Sequence, residues 1–229
     1  MLYKTLVRKL ESPNWSLQQW LLISCGFSCL MVAARTIATG QLTYLFLVWN
    51  LFLAFIPYAV SEWLATRAKM IENKVLLALT LVLWLLFIPN SFYILTDLFH
   101  LYDFDNAPRW FDLLLIFSFA WNGLLLGLLS VRKVETILQT VRGRSFSLLI
   151  VFAVMWLNAF GVYIGRYMRF NTWDVLAKPF TLFGELLDIM IHPFRYKMEW
   201  GMICIYAVFM TVLYITIKKM AGQFNQTTK

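Results

Sequence analysis

The sequence predicts an all-α integral membrane protein in which six helices cross the bilayer. Of its 229 residues, 61% are hydrophobic and only 14% are charged, whereas soluble domains are roughly 45–50% apolar. The mean hydropathy of +0.69 agrees with this class. Six apolar runs are long enough to form transmembrane helices, which need about 20 residues each. They leave no room for a second globular domain, so residues 1–229 are predicted to form a single polytopic membrane domain.

The six apolar runs give the spans in chain order. They cover residues 17–34, 42–60, 75–96, 111–131, 146–168 and 200–217. Cleavage of the first run as a signal peptide is the alternative, but Ser24 and Ser28 interrupt its apolar core, so we expect it to remain as a span. Pro57 and Pro89 each remove one backbone donor and should kink the second and third spans.

The charges between the spans alternate in sign and predict the orientation. The N-terminus, residues 61–74, residues 132–145 and the C-terminus carry 13 Lys/Arg against 4 Asp/Glu. The connections at 35–41, 97–112 and 166–199 carry 7 Lys/Arg against 8 Asp/Glu. Basic loops stay in the cytoplasm, so both termini are expected there. The net charge of +8 is then explained by anionic lipid headgroups, and nucleic-acid binding is not indicated.

The long connection before the sixth span is predicted to contain an amphipathic helix on the outer membrane interface. Apolar residues recur there at helical spacing over about 174–192. Lys178, Glu185 and Asp188 interrupt the apolar pattern, while Pro179 and Pro193 mark breaks. We expect the helix to begin near Pro179.

A polar stripe marks the outer end of the third span. Asn90, Tyr93 and Asp97 follow one another at spacings that share one face of an α-helix, and His100 continues the series if the helix persists. Ionisable groups at membrane depth are costly and suggest a functional site. Asp97 and His100 are therefore the candidate catalytic residues, and Asn90 and Tyr93 are candidates for substrate binding.

The acids of the following loop have both a structural and a chemical interpretation. In the structural one, Asp105 or Asn106 caps the turn and Arg109 pairs with Asp112. In the chemical one, the loop completes a metal site. Its four ligands, of a kind that suits Mg²⁺, Mn²⁺ or Ca²⁺ better than structural zinc, would be Asp97, His100, Asp103 and Asp105. A divalent cation is thus the cofactor to consider.

His100 and Asp105 also match the H-x4-D spacing of glycerolipid acyltransferases, in which an aspartate orients a histidine base. With so many acids close by, this match carries little information.

A second polar cluster ends the fifth span. Arg166 and Arg169 are expected to share a helix face, with Asp174 nearby, on the same side of the membrane as the Asp97 loop. Arginine grips phosphate or carboxylate with two hydrogen bonds, so these three residues are candidates for binding an anionic, phosphate-bearing or lipid-linked substrate. The alternative is that the arginines reach the interface and pair with the facing acids.

Within the spans, other polar and small residues favour helix packing. Asn50, Asn122 and Asn158 are expected to make interhelical hydrogen bonds, with a polar substrate path as the alternative. Glycines spaced four apart in the fourth and fifth spans, Gly123 with Gly127 and Gly161 with Gly165, indicate close helix contacts.

Three classes of function remain open at this level. The first is a membrane-embedded transferase or hydrolase acting on a lipid-linked or cell-envelope substrate at the outer leaflet. The second is a small-solute transporter, and the third is a non-catalytic partner or assembly factor for envelope proteins. No Walker A loop, GxSxG elbow, HExxH motif or Rossmann glycine fingerprint occurs in the sequence.

Several motifs resemble a bacterial family of multispanning membrane proteins known as domain of unknown function 1361. They are WNLFLA from Trp49, FIPNSFYILTDLFH ending at His100, WFDLL from Trp110, WNG from Trp121, and GVYIGR ending at Arg166, followed by Trp173-Asp174. The resemblance implies a multi-pass protein of the bacterial inner or plasma membrane. It implies no activity, substrate or catalytic residue.

Overall fold

A computed structural model describes residues 16–102, 106–170, 177 and 179–227, and the side chains up to residue 223. Its regular elements within these residues are all helical. They are α1 Leu17–Thr39, α2 Leu45–Ala65, α3 Ala68–Glu72, α4 Lys74–Tyr93, a 3-10 helix Ile94–Tyr102, α5 Arg109–Arg142, α6 Arg144–Arg166, α7 Pro179–Ile191 and α8 Lys197–Thr227. Six of the described helices are long and apolar enough to cross a membrane: α1, α2, α4 with its 3-10 extension, α5, α6 and α8. The predicted all-α membrane class is confirmed.

The chain alternates between the two ends of this bundle, which we name after a buried acid at each. The Asp97 side contains the α1–α2 turn, the 3-10 helix, the start of α5 and the end of α6. The Glu135 side contains α3, the α5–α6 turn and the end of α8.

The helices extend beyond the apolar runs of the sequence. α1 continues through Arg35 to Thr39, because the stop signal is Gly40, whose φ of 68° ends the helix in a left-handed cap. The Gly40 N–H donates to the Thr36 carbonyl at 2.8 Å. α5 similarly continues well past residue 131, to Arg142. An apolar run in the sequence ends at the first charged residue, whereas the helix continues to its capping residue.

The third span changes its winding just before the predicted catalytic residues. α4 ends at Tyr93, and residues 94–102 form a 3-10 helix. The expectation that one α-helical face runs from Asn90 to His100 is therefore wrong. With about three residues per turn, Asp97 and His100 stay aligned with each other but leave the register of Asn90 and Tyr93.

α5 is the central helix of the bundle. It packs against α1, α2, α4, α6 and the 3-10 helix. Two thirds of its most apolar stretch (67%) is buried inside the protein, against 22–39% for the other five spanning helices. The outer helices leave large apolar side chains exposed, as expected where the surrounding solvent is lipid rather than water.

Glycines let α4 lie close against both α5 and α6. A Cβ on Gly127 would lie 2.7 Å from the Ser91 Cβ, and one on Gly161 would lie 2.5 Å from the Pro89 Cβ. The other two glycines of these pairs, Gly123 and Gly165, make similar approaches to Ile94 and Tyr93. The predicted role of these glycines in close helix packing is confirmed, and it holds α4 between its two neighbours.

α7 begins at Pro179, as the sequence predicts, and is apolar on more than one face. Phe180 and Phe183 are exposed, whereas Leu182 and Ile189 are buried. Ile189 packs into a cluster with residues of α6 and α8, and Trp200 donates its indole N–H to the Ile189 carbonyl at 3.2 Å. α7 is thus attached to the Asp97 side of the bundle by one face and presents another outward.

Candidate functional site

A cavity of about 520 Å³ opens between α2, α4 and α6 on the Asp97 side. α4 packs against both α2 and α6 and forms the floor, while α7 contributes Leu182, Leu186 and Met190 from above. The three helices of the bundle supply the remaining lining side chains, which are mostly apolar: Trp49, Asn50, Leu53, Leu85, Leu86, Pro89, Asn90, Tyr93, Leu157, Phe160, Gly161, Ile164, Gly165 and Phe170, the last from just beyond α6. An apolar cavity with a few polar groups is typical of a ligand site.

The lining includes the side-chain amides of Asn50 and Asn90, and the Asn50 amide is hydrogen-bonded to the buried carboxylate of Asp97. The Nδ2 of Asn50 donates to the Oδ2 of Asp97 at 2.8 Å, and the Asp97 side chain is only 1% exposed. The Nδ2 of Asn90 donates to the Phe87 carbonyl in its own helix at 2.9 Å. Asn50 therefore connects the cavity to Asp97, which itself does not line it.

His100 and Arg166 form a direct polar contact beside this cavity. The Nη1 of Arg166 lies 2.9 Å from the Nε2 of His100. A guanidinium can only donate hydrogen bonds, so Nε2 accepts and the proton of the imidazole resides on Nδ1. The ring is further positioned by an edge contact with Phe46, at 5.1 Å between centroids. Arg166 also lies over the Phe99 ring, 5.3 Å from its centroid.

The structure brings three of the predicted site residues together. Both Arg166 and His100 lie within electrostatic range of the Asp97 carboxylate. Arg166 directly follows Gly165, the last α6 residue that lines the cavity. Asn90 and Tyr93 line the cavity itself. The site therefore has an apolar part within the bundle and a charged part at its end.

Other predicted site residues are elsewhere. α6 ends at Arg166, and Arg169 lies beyond it, exposed, with a φ of 58° in the left-handed region. The prediction that Arg166 and Arg169 share a helix face is therefore wrong. Asp103, Asp105 and Asp174 lie outside the described residues. Within the described residues, no three His, Cys, Asp or Glu side chains are grouped to hold a metal, and the proposed four-ligand metal site stays a prediction because two of its members are not described.

A buried ion pair that the sequence did not predict lies next to the 3-10 helix that carries Asp97 and His100. Arg35 donates through Nε and Nη2 to the two carboxylate oxygens of Asp112, at 2.7 and 3.0 Å. The Tyr44 hydroxyl lies 3.4 Å from Asp112 Oδ2 and 3.2 Å from the His100 carbonyl. This network therefore ties the backbone of the 3-10 helix to α1 and α5.

The pairing of Asp112 corrects the structural interpretation of the loop. Asp112 bonds to Arg35 and not to Arg109, whose guanidinium lies over the Tyr102 ring at 5.6 Å. The N-cap of α5 is Pro108, which makes no side-chain capping bond. Asn106 donates to Gln41 instead, and Asp105, the other predicted cap, lies outside the described residues. Gly40 was the available signal for Arg35, because a glycine after the last turn places the helix end beyond this arginine.

The asparagines within the spans behave in three different ways. Asn50 makes the interhelical bond to Asp97 described above. Asn122 donates to Ser28 Oγ at 2.9 Å and to the Ser24 carbonyl at 3.1 Å, both in α1. Asn158 is fully buried, and among the described residues neither its Nδ2 nor its Oδ1 has a hydrogen-bond partner. The prediction of interhelical bonding is confirmed for the first two and is wrong for Asn158.

A separate polar cluster surrounds Glu135 at the other end of the bundle. The Glu135 carboxylate is fully buried and accepts from Arg132 and Lys218, each at 2.5 Å. The Tyr214 hydroxyl and the Gln139 amide also donate to it. These contacts fasten the end of α8 to α5, and they satisfy the carboxylate from several directions.

The chain matches the family model described as "Protein of unknown function (DUF1361)" over residues 49–215. It belongs to this family. No curated protein and no solved structure shows significant similarity to the chain. The matched segment of this DUF1361 protein contains Asn50, Asp97, His100 and Arg166, whereas Arg35 lies outside it.

Proposed function

We propose that the protein is a membrane-embedded transferase or hydrolase that acts on a lipid-linked or other cell-envelope substrate at the outer leaflet of a bacterial plasma membrane. The observation that carries this proposal is the apolar cavity whose end adjoins the His100–Arg166 pair. Such an arrangement suits a molecule with an apolar part and an anionic group. A metabolite without an apolar part would gain little from the lining.

The orientation follows from the loop charges. The Glu135 side carries the basic excess in residues 61–74 and 132–145, and basic loops stay in the cytoplasm. The termini are then cytoplasmic, and the Asp97 side with α7 faces outward. The bound substrate would lie in the outer leaflet, with its polar group at the membrane surface.

Each residue of the charged end has a definite role in this proposal. Arg166 binds the anionic group, because a guanidinium forms strong paired hydrogen bonds with phosphate or carboxylate. That contact draws Arg166 away from His100 and leaves Nε2 able to take a proton from an attacking water or hydroxyl. The same proton then passes to the oxygen of the leaving group. Asp97 touches no ligand in this scheme and acts as a positioning residue, held by the Asn50 amide within electrostatic range of His100.

The cavity gives less support to a transporter. Its lining reaches Leu53, Leu85 and Leu157 within the helices, and none of the described residues of the Glu135 side takes part in it. A non-catalytic partner for envelope proteins is the remaining alternative. Such a protein would need the cavity on the Asp97 side as a docking groove, but it would not need His100 as a base.

The test compares turnover in variants that keep the fold. Purified protein in nanodiscs of native lipid extract is incubated, and mass spectrometry follows the loss of anionic lipids. We expect the His100→Gln variant to lose at least 100-fold in rate at unchanged melting temperature, since general acid–base groups contribute about 10²–10⁴-fold. Asp97→Asn should lower the rate less and shift its pH profile.

The matched control is His192→Gln. This histidine also lies on the Asp97 side, beyond α7, where it pairs with Asp188 at 2.9 Å. It should retain the wild-type rate. Conversion of no lipid by the wild type, or equal rates in wild type and His100→Gln, would refute the enzyme and favour the partner protein.

A further inference from the structure

The dimensions of the cavity narrow the class of ligand. Its lining extends from residue 85 to 93 on α4 and from 157 to 165 on α6, and eight residues of helix correspond to about 12 Å. One leaflet of the hydrocarbon core is about 15 Å thick, half of the bilayer value. The cavity is therefore nearly as long as one leaflet is thick. Its inner end would lie near the midplane of the bilayer.

The volume limits the number of chains. A cavity of about 520 Å³ lies within the roughly 300–1,000 Å³ of sites that hold one drug-sized ligand. A single lipid chain is a ligand of that size, whereas a glycerolipid carries two such chains.

The walls of the cavity leave a lateral entrance for such a chain. α2 and α6 each pack against α4, and two of the side chains with which they line the cavity, Trp49 and Leu157, are exposed by about half. A chain can therefore enter from the surrounding lipid without leaving the apolar phase. Met190 and Leu182 of α7 line the cavity as well, and the lining on α6 ends at Gly165, next to Arg166. We therefore expect the polar group to lie toward the end of α6.

The charge at this end selects the polar group. Arg166 is half-buried, directly follows a lining residue, and its described contacts are the neutral His100 ring and the Phe99 face. No carboxylate is bonded to it among the described residues. A guanidinium held in this way gains a charged partner when an anion arrives.

From these features, and resting on the proposed function, we infer that the ligand of this cavity is a single-chain amphiphile. Its chain lies between α2, α4 and α6, and it carries a phosphate or a similar anion that binds Arg166. Two-chain phospholipids surround the protein but do not occupy the cavity with both chains.

The experiment measures equilibrium binding of radiolabelled monododecyl phosphate to the full chain in phosphatidylcholine nanodiscs. The competitors are dodecanol, inorganic phosphate and dioleoyl phosphatidic acid. We expect saturable binding of one molecule per chain. Phosphatidic acid and inorganic phosphate should each compete at least tenfold more weakly than unlabelled dodecyl phosphate. Equal competition by phosphatidic acid would overturn the single-chain assignment, and equal competition by inorganic phosphate would show a site for a soluble anion.

Matched variants locate the chain and the anion. Leu157→Trp fills the cavity and should weaken binding at least tenfold, whereas Leu148→Trp should leave binding unchanged, because Leu148 is similarly exposed on α6 (44% against 49%) and does not line the cavity. Met190→Trp fills the same space from α7 and serves if the first variant is unstable. Unchanged binding in both filled variants would refute the location of the chain.

Arg166→Gln should weaken dodecyl phosphate at least tenfold and leave dodecanol unaffected. Its control is Arg195→Gln, since Arg195 lies on the same side over the Tyr196 ring and away from the cavity. Equal affinities for the phosphate in wild type and Arg166→Gln would remove Arg166 from the site. Selective binding of dodecyl phosphate without lipid turnover would support this inference and refute only the proposed enzyme. Lipid turnover without such binding would support the enzyme and refute this inference.

Discussion

The two ends of the bundle each bury a carboxylate, but they satisfy it in different ways. Glu135 accepts hydrogen bonds directly from Arg132, Lys218 and Tyr214. Asp97 accepts from the Asn50 amide, while the nearby Arg166 donates to His100 instead. On the Glu135 side, the carboxylate and both of its cations are bonded directly to one another. On the Asp97 side, the cation is half-buried beside a cavity and can exchange partners.

This difference separates a structural cluster from a candidate functional one. A buried carboxylate with several donors around it holds helices together and has little capacity for a ligand. A cation that contacts an imidazole and an aromatic ring, and that bonds to no carboxylate among the described residues, can still take an anion as its direct partner. Substitutions on the Glu135 side should therefore act on stability, whereas those at His100 and Arg166 should act on binding and turnover.

The largest loss of stability is expected at Arg35, the structural pair of the Asp97 side. Arg35 and Asp112 are 2% and 1% exposed, and removing one partner of a buried pair costs about 3–5 kcal/mol. Arg35→Ala should lower the free energy of unfolding by that amount in detergent, as followed by circular dichroism. The double variant Arg35→Met/Asp112→Leu should recover most of the loss, because it leaves no unpaired charge.

The control for this prediction is Lys133→Ala. Lys133 pairs with Glu62 at 3.0 Å where both side chains are partly exposed, and such pairs contribute about 0–1 kcal/mol. A loss at Arg35 no larger than at Lys133 would show that the buried pair is not structural.

A somewhat smaller loss is expected for Glu135→Ala. The change removes the acceptor shared by Arg132 and Lys218, and Arg132 is 46% exposed and can turn to water, so we expect about 3 kcal/mol, the lower end for a broken buried pair. Thermal unfolding should show it, with the α8 end exchanging amide hydrogens first. Glu135→Gln keeps an acceptor for Tyr214 and should lose less. Turnover of the surviving folded fraction should be normal, and a specific loss of turnover would contradict the proposed division between the two ends.

Gly161 tests the wall of the cavity. A Cβ there would lie 2.5 and 2.8 Å from the Pro89 Cβ and Cγ, so Gly161→Ala should cost about 1–3 kcal/mol through overpacking. Gly26→Ala is the control, because no described atom outside the backbone of α1 lies within 4 Å of a Cβ at that position and alanine favours a helix by about 0.5–1 kcal/mol. If both substitutions are stabilising, α4 and α6 do not meet as closely as described.

The smallest effect is expected at the corner between α7 and α8, and it depends on pH. The Tyr196 hydroxyl donates to Asp188, and His192 pairs with it at 2.9 Å. The Tyr196 hydrogen bond, followed by the contact with His192, lowers the pKa of Asp188 below its usual value of 3.8. A lowered carboxyl pKa contributes stability above the unfolded pKa, and this contribution disappears as the pH falls through the folded pKa.

The measurement is the melting temperature between pH 6 and pH 2.5. The wild type should lose slightly more than Asp188→Asn over this range, whereas Glu185→Gln, at an exposed acid of the same helix, should behave like the wild type. Identical curves for wild type and Asp188→Asn would mean that this corner does not contribute to stability.

The fold could be predicted largely from local properties of the sequence. Six apolar runs, the start of α7 at Pro179 and the paired glycines were all identified correctly, because length, hydropathy and residue size act on nearby residues. The ends of the helices were less accurate. The positions of Arg35 and Arg142 inside helices depend on caps at Gly40 and Gly143, which hydropathy does not measure.

The site was predicted in part. Asp97, His100 and Arg166 do lie together, because alternating spans deliver their polar ends to the same side of a membrane. The α-helical register of Asn90 with His100, the helix face shared by Arg166 and Arg169, and the pairing of Arg109 with Asp112 were wrong. Each of these predictions extended α-helical spacing beyond the residue at which the helix changes its winding or ends, or paired two charges only because they are close in the sequence.

The sequence by itself determined the class of the protein, its six apolar helices and the side on which its costly polar residues gather, since the energetic cost of polar groups in lipid acts on every residue separately. Only the tertiary structure decided which partner each charge has. Arg35 meets Asp112 and Asn50 meets Asp97 across 77 and 47 residues of chain, and these distant pairings form when α5 packs at the centre and α4 closes against α6. The physical reason is that a hydrogen bond depends on a distance of about 3 Å, which is set by the packing of helices and not by spacing along the chain.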